Sequence, residues 1–382
     1  MINKKIAYIS GTRADFGLMT PVLAAIKKSK KLDLKLYVTG IHLMPEFGNT
    51  IKEIKKQFPE IIEVKAVFES DEKQAMAEFA SILISKLVSL FEKDRPDFVL
   101  TLGDRPEMIS VALVCLYLGI PTGQIHGGDK SATVDEIARH AITKLSHLHF
   151  PATREAAERI KKMGEESWRI KVVGAPALDV IMNEQLPTRE QLFKNLGLDL
   201  KKKVILVTQH PVSEEYEKSG SQMAEIISAI KTFELPVVII YPHADAGGRR
   251  IISEINKENK NPNFHIFPSL PHKDFLALER EAAVWVGNSS AAMIESASFG
   301  VPIVNIGGRQ SDRQRGLNVL NVGYDRNKIK RAMKKSLFDT AYLKTLKKIK
   351  NPWGDGKTGQ RVMKTLENIK IDSKLLNKQI TY

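Results

Sequence analysis

Short apolar runs that end in glycine or polar turns recur along the whole 382-residue chain, each followed by an amphipathic stretch of helix length. Such alternation builds stacked βαβ units on a parallel sheet. It occurs in two series. Strands are predicted at 6–10, 32–39, 61–68, 98–103 and 123–126, and again at 168–173, 204–208, 236–240, 264–267, 284–287 and 302–306. The stretch 74–93 is the clearest helix of the first series, and Pro96 marks its end. A chain of this length suits two cores of about 150–200 residues each. The fold class expected is therefore α/β, with two Rossmann-like doubly wound domains facing across a cleft, over residues 1–173 and 174–356. Residues 174–186 read as the hinge, and 357–371 as a further amphipathic helix before the tail. Ligands of open parallel sheets bind beyond the carboxyl ends of the strands, so the cleft is the expected site.

Composition narrows the classes. Apolar residues make up 43% of the chain and charged residues 27%, which excludes a disordered chain. The net charge of +14 suits a polyanionic small molecule such as a nucleotide diphosphate. Its lysines spread over 26–36, 53–56 and 328–350 without a basic run interleaved with aromatics, so no nucleic-acid partner is expected. The single cysteine, Cys115, lies in an apolar helical run and reads as a small buried hydrophobe in a reducing compartment. No signal-type segment and no run of ~18 apolar residues is seen. The expectation is a cytoplasmic protein with no membrane partner.

Polar motifs sit just after the strand-like runs. Gly11-Thr12-Arg13-Ala14-Asp15 follows the first. Its glycine, free helix amides and Arg13 suit a phosphate, while a plain strand-to-helix turn with Asp15 as a first-turn acid is the alternative. Gly103-Asp104-Arg105-Pro106-Glu107 follows the fourth. Asp104 is placed for acid–base work or sugar binding, or else is a helix cap beside an exposed Arg105. The densest cluster is His126-Gly127-Gly128-Asp129 with Asp135, Glu136, Arg139 and His140. Asp135 and Arg139 are spaced to pair on one helix face. Carboxylates crowded at one cleft edge push each other's pKa values apart, which assigns acid and base roles. His140 reads as a buried structural histidine. His147 and His149 alternate along an apparent strand, as core or surface residues rather than metal ligands, and no metal is expected.

In the second series, Gln209-His210-Pro211 ends a strand, and His210 is suited to bind phosphate or shuttle a proton. Tyr241-Pro242-His243 ends the next. Gly287-Asn288-Ser289-Ser290 with Glu295 offers a glycine turn, hydroxyls at a helix start and a carboxylate that can accept ribose hydroxyls. Simple serine capping is the alternative. Gly307-Gly308-Arg309-Gln310, with Arg313 and Arg315, adds positive charge.

Together with Arg-His-Ala-Ile-Thr-Lys at 139–144 and Gly-Asp-Gly at 354–356, these motifs resemble, in order and spacing, the hydrolysing UDP-N-acetylglucosamine 2-epimerases of sialic acid synthesis over about residues 5–370. The resemblance implies a glycosyltransferase-B-like fold with UDP held mainly by the second domain and 357–382 packing back on the first. It implies nucleotide contacts from Arg13, Arg105, His210, His243, Ser289, Ser290, Glu295 and Arg309, with Glu295 on the ribose. It implies a reaction in which a base removes the C2 proton and UDP leaves C1. Water then adds to the 2-acetamidoglucal, giving N-acetylmannosamine and free UDP with no cofactor. A homodimer or homotetramer is also implied. The acid–base candidates by position are Asp104, Asp135 and His210, with Asp129 and His126 behind them.

One departure bears on the sugar. Relatives with His at 126 usually carry Glu at 129, whereas this chain has Asp129, one methylene shorter. Either the shorter acid still reaches, or another carboxylate takes the role, or substrate preference is shifted. Residues 130–133 also differ from the expected glycine-containing loop. The same reaction on UDP-2,4-diacetamido-2,4,6-trideoxyglucose and a non-hydrolysing epimerisation are the alternatives, followed by a glycosyltransferase and a silent nucleotide-sugar sensor.

Overall fold

The computed structural model describes residues 3–48, 50–70, 72–131 and 134–382. Two six-stranded parallel sheets carry the chain. The first holds β1 (Lys4–Ser10), β2 (Leu32–Val38), β3 (Ile61–Glu63), β4 (Phe98–Leu102), β5 (Thr122–Ile125) and β6 (Leu148–Phe150). The second holds β7 (Val204–Thr208), β8 (Val237–Ile240), β9 (Phe264–Phe267), β10 (Ala282–Gly287), β11 (Ile303–Ile306) and β12 (Val319–Val322). Helices α1 (Arg13–Lys28), α2 (Ile51–Gln57), α3 (Lys73–Lys93), α4 (Pro106–Leu118), α5 (Val134–Leu145) and α6 (Arg154–Lys162) belong to the first half. The connection carries α7 (Ala177–Asn183) and α8 (Arg189–Leu196), followed by α9 (Ser219–Ile230), α10 (Gly248–Asn256), α11 (His272–Glu281), α12 (Ser290–Ile294), α13 (Arg326–Phe338) and α14 (Thr340–Leu346). The chain ends with α15 (Thr358–Asn368) and α16 (Ser373–Leu376).

The strand orders are β3-β2-β1-β4-β5-β6 and β12-β11-β10-β7-β8-β9, the same doubly wound order read from opposite edges. Each reverses direction once, between β1 and β4 and between β7 and β10, where such sheets open a crevice for ligands. Both faces of each sheet are covered, which is why the central strands are apolar throughout. Ile6 and Tyr8 of β1 enter one core while Ala7 and Ile9 enter the core on the opposite face. Ile205 and Val207 of β7 are likewise separated from Val204 and Leu206.

Three sequence expectations are corrected. Residues 168–173 form no strand. They hold a short 3-10 turn, Ser167–Arg169, and one bridge from Ile170 to His149. The cause is Arg169, whose buried guanidinium donates to the carbonyl oxygens of His147, Lys374 and Leu375 and pins the segment as a connector. The 174–186 hinge is partly helical, through α7. β12 was not foreseen, being a short, half-buried edge strand with a polar Asn321. In addition, α3 is long and apolar enough by composition to cross a membrane, yet its stripe of Phe79, Leu83, Leu87 and Phe91 packs into the first half's core.

The end of the chain returns to the beginning. Val362 and Leu366 of α15 and Leu375 of α16 share a core with Val22, Leu23 and Ile26 of α1. Lys4 Nζ donates to the carbonyl oxygens of Leu366, Glu367 and Ile369 at 3.0, 3.0 and 2.6 Å, satisfying the carboxyl end of α15. At its other end, the Asp179 carboxylate accepts the Thr358 and Gly359 amides at 2.8 and 2.7 Å. Truncating the fully buried Leu366 to alanine is expected to lower the stability of the whole protein by about 2–5 kcal/mol, read as the urea midpoint; an unchanged midpoint would show that α15 is not part of that core.

Candidate active site

The turns after the strands that flank the two reversal points converge. Gly11–Arg13 follow β1, Asp104 and Arg105 follow β4, His210 follows β7 and Ser289 follows β10. Between the sheets lies a cavity of about 1080 Å³ counted to its open mouth. Its walls include Arg13, His210, His243, Ser289, Ser290, Glu295 and Arg309. Seven of the residues proposed from sequence thus share one space, six of them from the second half and Arg13 from the first.

The turn after β10 is tightly tied to the turn after β7. Gly287 has φ of 132°, and a Cβ there would sit 2.0 Å from the Thr208 carbonyl oxygen, so only glycine lets β10 and β7 end side by side. Asn288 then ties the two turns together, its Oδ1 accepting the His210 amide at 2.7 Å and its Nδ2 donating to the His210 carbonyl at 2.9 Å. Ser289 occupies the cap position of α12 but its hydroxyl makes no capping bond, so plain capping is not its role here. His210 and His243 stack with centroids 4.4 Å apart. Burial lowers His210 well below the usual histidine range, and burial with the Arg105 charge lowers His243 to about 3. Both are neutral near pH 7, able to donate or accept a proton without adding charge.

The turn after β1 is different. The Asp15 carboxylate accepts the amides of Gly11 and Thr12 at 2.9 and 2.6 Å and completes a capping box with Thr12. The amides read as a phosphate cradle are therefore occupied by the protein's own acid, which burial raises to about 6. Of that motif Arg13 and Ala14 line the cavity, Arg13 bonded to Ser269 Oγ at 2.7 Å across the cleft and ion-paired to Glu53.

Of the acid–base candidates His210 is in the cavity wall, while Asp104, Asp135, Asp129 and His126 lie beside it. Asp135 and Arg139 do not pair along α5. Asp135 pairs across the cleft with Arg309 at 3.2 Å, and the buried Arg139 pairs with Asp104 while donating to the Asp129 carbonyl and Ser131 Oγ. His126 Nδ1 lies 3.0 Å from Asp129 Oδ2. His126 adopts a left-handed φ of 60°, a conformation a histidine holds only where its surroundings over-determine it. Arg313 Nε donates to the Lys130 carbonyl at 3.3 Å, bringing a second cation from the far side. Arg105 is a strut: it bridges Asp245 of the second half at 3.1 Å and Glu107 at 3.2 Å. Of the 130–133 loop, Ala132 and Thr133 lie outside the described residues. His140 is part-exposed and paired with Glu136 rather than buried. His147 accepts the Thr122 amide and His149 meets Glu165, so the two serve separate structural bonds.

Sequence reasoning missed Pro268, Ser269 and Leu270, which line the cavity after β9, and His272 and Phe275 of α11. The strand-end rule applied elsewhere would have found the 268–270 turn. It also missed Glu279, a fully buried acid within hydrogen-bonding reach of Glu295.

The fold and the relatives place the chain among two-domain α/β enzymes of the nucleotide-sugar class. The chain belongs to the UDP-N-acetylglucosamine 2-epimerase family, whose match covers residues 24–367. It is 38% identical over 380 residues to the hydrolysing UDP-N,N'-diacetylbacillosamine 2-epimerase of Legionella pneumophila, covering 99% of this chain and 100% of that protein. It is 35% identical over 327 residues to the UDP-N-acetylglucosamine 2-epimerase of Neisseria meningitidis serogroup B, covering 85% of each. A crystal structure of UDP-GlcNAc 2-epimerase from Neisseria meningitidis bound to UDP-GlcNAc shares the fold, with a TM-score of 0.77, 20% identity and coverage of 95% of this chain and 99% of that one. The Methanocaldococcus jannaschii enzyme in complex with UDP-GlcNAc and UDP gives the same TM-score of 0.77 at 20% identity, over 95% of this chain and 99% of that one.

One titration beside the site is testable. His42, fully buried, bonds to Ser10 Oγ at 2.9 Å and Thr50 Oγ1 at 2.5 Å. Burial, then the Arg13 charge, lowers it from 6.5 to about 3. The unfolded chain takes up this proton below pH 6.5 and the folded protein does not until about pH 3, so its contribution to stability is lost as pH falls through that window. Between pH 7 and 5 the loss from this group is about 2 kcal/mol. Urea unfolding of His42→Asn is expected to show a pH 7-to-5 decline smaller by that amount; parallel profiles would contradict the assignment.

Proposed function

We propose that this chain catalyses the hydrolysing 2-epimerisation of a UDP-linked 2-acetamido sugar, releasing UDP and the free 2-epimer. The observation that carries the reading is the single cavity uniting Ser289, Ser290, Glu295, His210, His243 and Arg309 with Arg13, with three carboxylates along its first-domain edge. The division of labour follows. Ser289, Ser290, Arg13 and Arg309 hold the diphosphate, and Glu295 accepts the ribose hydroxyls. As the C1–O bond breaks, its electron pair leaves with UDP, whose growing charge those donors stabilise. A base on the first-domain edge takes the weakly acidic C2 proton, which requires a positioned group rather than a strong one. Asp135 and Asp104 are assigned to this proton transfer, with His210, Asp129 and His126 completing the set. Water adds across the glycal double bond to give the epimer. The chemistry calls for neither nicotinamide nor metal.

For the sugar, we favour UDP-2,4-diacetamido-2,4,6-trideoxyglucose (UDP-N,N'-diacetylbacillosamine). What supports this is the Legionella relative, matched over 99% of this chain and named for that substrate, and the Asp129 departure in the loop that the family resemblance sets near the sugar. The Neisseria relative supports UDP-N-acetylglucosamine as the second reading.

The test is to incubate the protein with each nucleotide sugar and separate the products. Free UDP and the free 2-epimer are expected, with the diacetamido sugar turned over at higher kcat/KM and no loss in EDTA. A UDP-linked epimer would mean non-hydrolysing epimerisation, and absence of turnover on both would end the proposal. Asp135→Asn and Asp104→Asn are each expected to lower kcat by roughly 10²–10⁴-fold with a far smaller change in KM. Ser290→Ala is expected to raise KM instead. Steady-state kinetics distinguish the two patterns.

A further inference from the structure

Glu295 does not stand alone in the cavity wall. Behind it, on α11, lies Glu279, with no solvent exposure and, among the described residues, no hydrogen-bond donor to either oxygen. The two carboxyls lie within hydrogen-bonding reach of each other. Glu279 is one turn beyond Phe275 and two beyond His272, both of which line the cavity, so it sits on the ligand-facing side of α11. Two carboxylates buried in contact cannot both ionise; the arrangement holds together only if they share a proton.

We propose that Glu279 is a positioning residue for the nucleotide: it keeps a proton and donates it to Glu295, so that Glu295 presents a fixed acceptor to the ribose hydroxyls while the pair carries a single negative charge. The assignment rests on the nucleotide reading above. The physical need is clear. A lone ionised glutamate at 2% exposure would lack a donor in the empty site. Two negative charges there would repel the diphosphate bound nearby. A protonated neighbour meets both conditions at once.

The surroundings leave the pair to itself. Burial, then Glu295, pushes Glu279 well above the usual carboxylate range, and burial raises Glu295 to about 7. Arg13 of α1, His210 after β7, Arg309 after β11 and His272 of α11 share the cavity with Glu295. Elsewhere on α11, Glu281 is engaged by Arg189 of α8, and Arg280 donates to the Pro187 carbonyl. Asp15 of α1 is held by its own capping box.

The experiment is calorimetric binding of UDP and of 2′-deoxy-UDP to the full-length protein between pH 7 and 9.5. Wild type, Glu279→Gln and Glu279→Leu are compared. Glutamine keeps a donor toward Glu295 but has no proton to lose. Leucine removes the donor, and thermal melts check the fold. At pH 7 Glu279→Gln is expected to bind UDP like wild type, whereas Glu279→Leu binds about tenfold more weakly and loses the preference for UDP over the deoxy analogue. As pH rises, wild-type affinity falls when the shared proton is lost, and Glu279→Gln is spared beyond the decline due to the uracil ring, which is common to both. One affinity and one pH profile shared by wild type and both variants would overturn the proposal, as would equal losses in Gln and Leu, which would mark mere packing. A wild type that binds no UDP at all would overturn this assignment and the proposed function together; normal wild-type binding with an inert Glu279 would overturn this one only.

Discussion

Arg105 holds the rest of the site in being. Its guanidinium, mostly buried, reaches from the turn after β4 to Asp245 of the second half and back to Glu107 of α4. Burial opposes its charge, but Asp245 and Glu107 together outweigh that cost and hold Arg105 above the ordinary arginine range. Removing one member of such a buried set leaves an uncompensated charge, at a cost of about 3–5 kcal/mol. Glu107 in turn fills the place where a side chain on Gly11 would lie, at 2.3 Å from its would-be Cβ. One chain of contacts thus runs from the second sheet through Arg105 and Glu107 to the turn that aims Arg13. The cleft is a consequence of that chain and of α15, which returns from the second half to pack on α1.

Across the cleft the two halves differ in charge chemistry. The second half lines the cavity with neutral histidines, serine hydroxyls, Arg309 and the acid Glu295, and the first half brings Arg13 to it and sets carboxylates along its edge. The Asp135–Arg309 pair joins the two sides at 3.2 Å, with Arg313 on Lys130 beside it. Each carboxylate is held by a specific partner: the buried Asp129 by His126, and the part-exposed Asp104 and Asp135 by Arg139 and Arg309. On the proposed function, an anionic substrate entering beside Arg309 would compete for its guanidinium and hand Asp135 from a structural bond to a chemical one.

Much of this was legible in the sequence, because parallel sheets announce themselves through apolar runs ending in glycine, and ligands follow strand ends. That rule found both sheets, the turn at 287–290, His210, His243 and Arg309. It failed where the answer depends on which distant residue arrives. Spacing along α5 suggested an Asp135–Arg139 pair, but the second half brings Arg309 to Asp135 and leaves Arg139 to Asp104. The 168–173 run is apolar enough for a strand, yet a buried Arg169 bound by carbonyls of the C-terminal segment claims it. Gly11-Thr12 looked like an anion cradle, and Asp15 four residues on is the anion. Glu279 carried no signal, since a glutamate in a charged helix reads as surface until its face is known.

The central claim is that C2 of the sugar exchanges its proton as UDP departs, in one cleft between the two halves. The most direct test is turnover of a nucleotide sugar in deuterium oxide, with the released sugar examined by proton NMR and mass spectrometry. One solvent deuteron at C2 of the inverted sugar, appearing in step with free UDP, is the predicted result. UDP released with the original hydrogen retained at C2 would contradict it, because it would mean simple hydrolysis at C1 and leave the first-domain carboxylates without the role assigned to them.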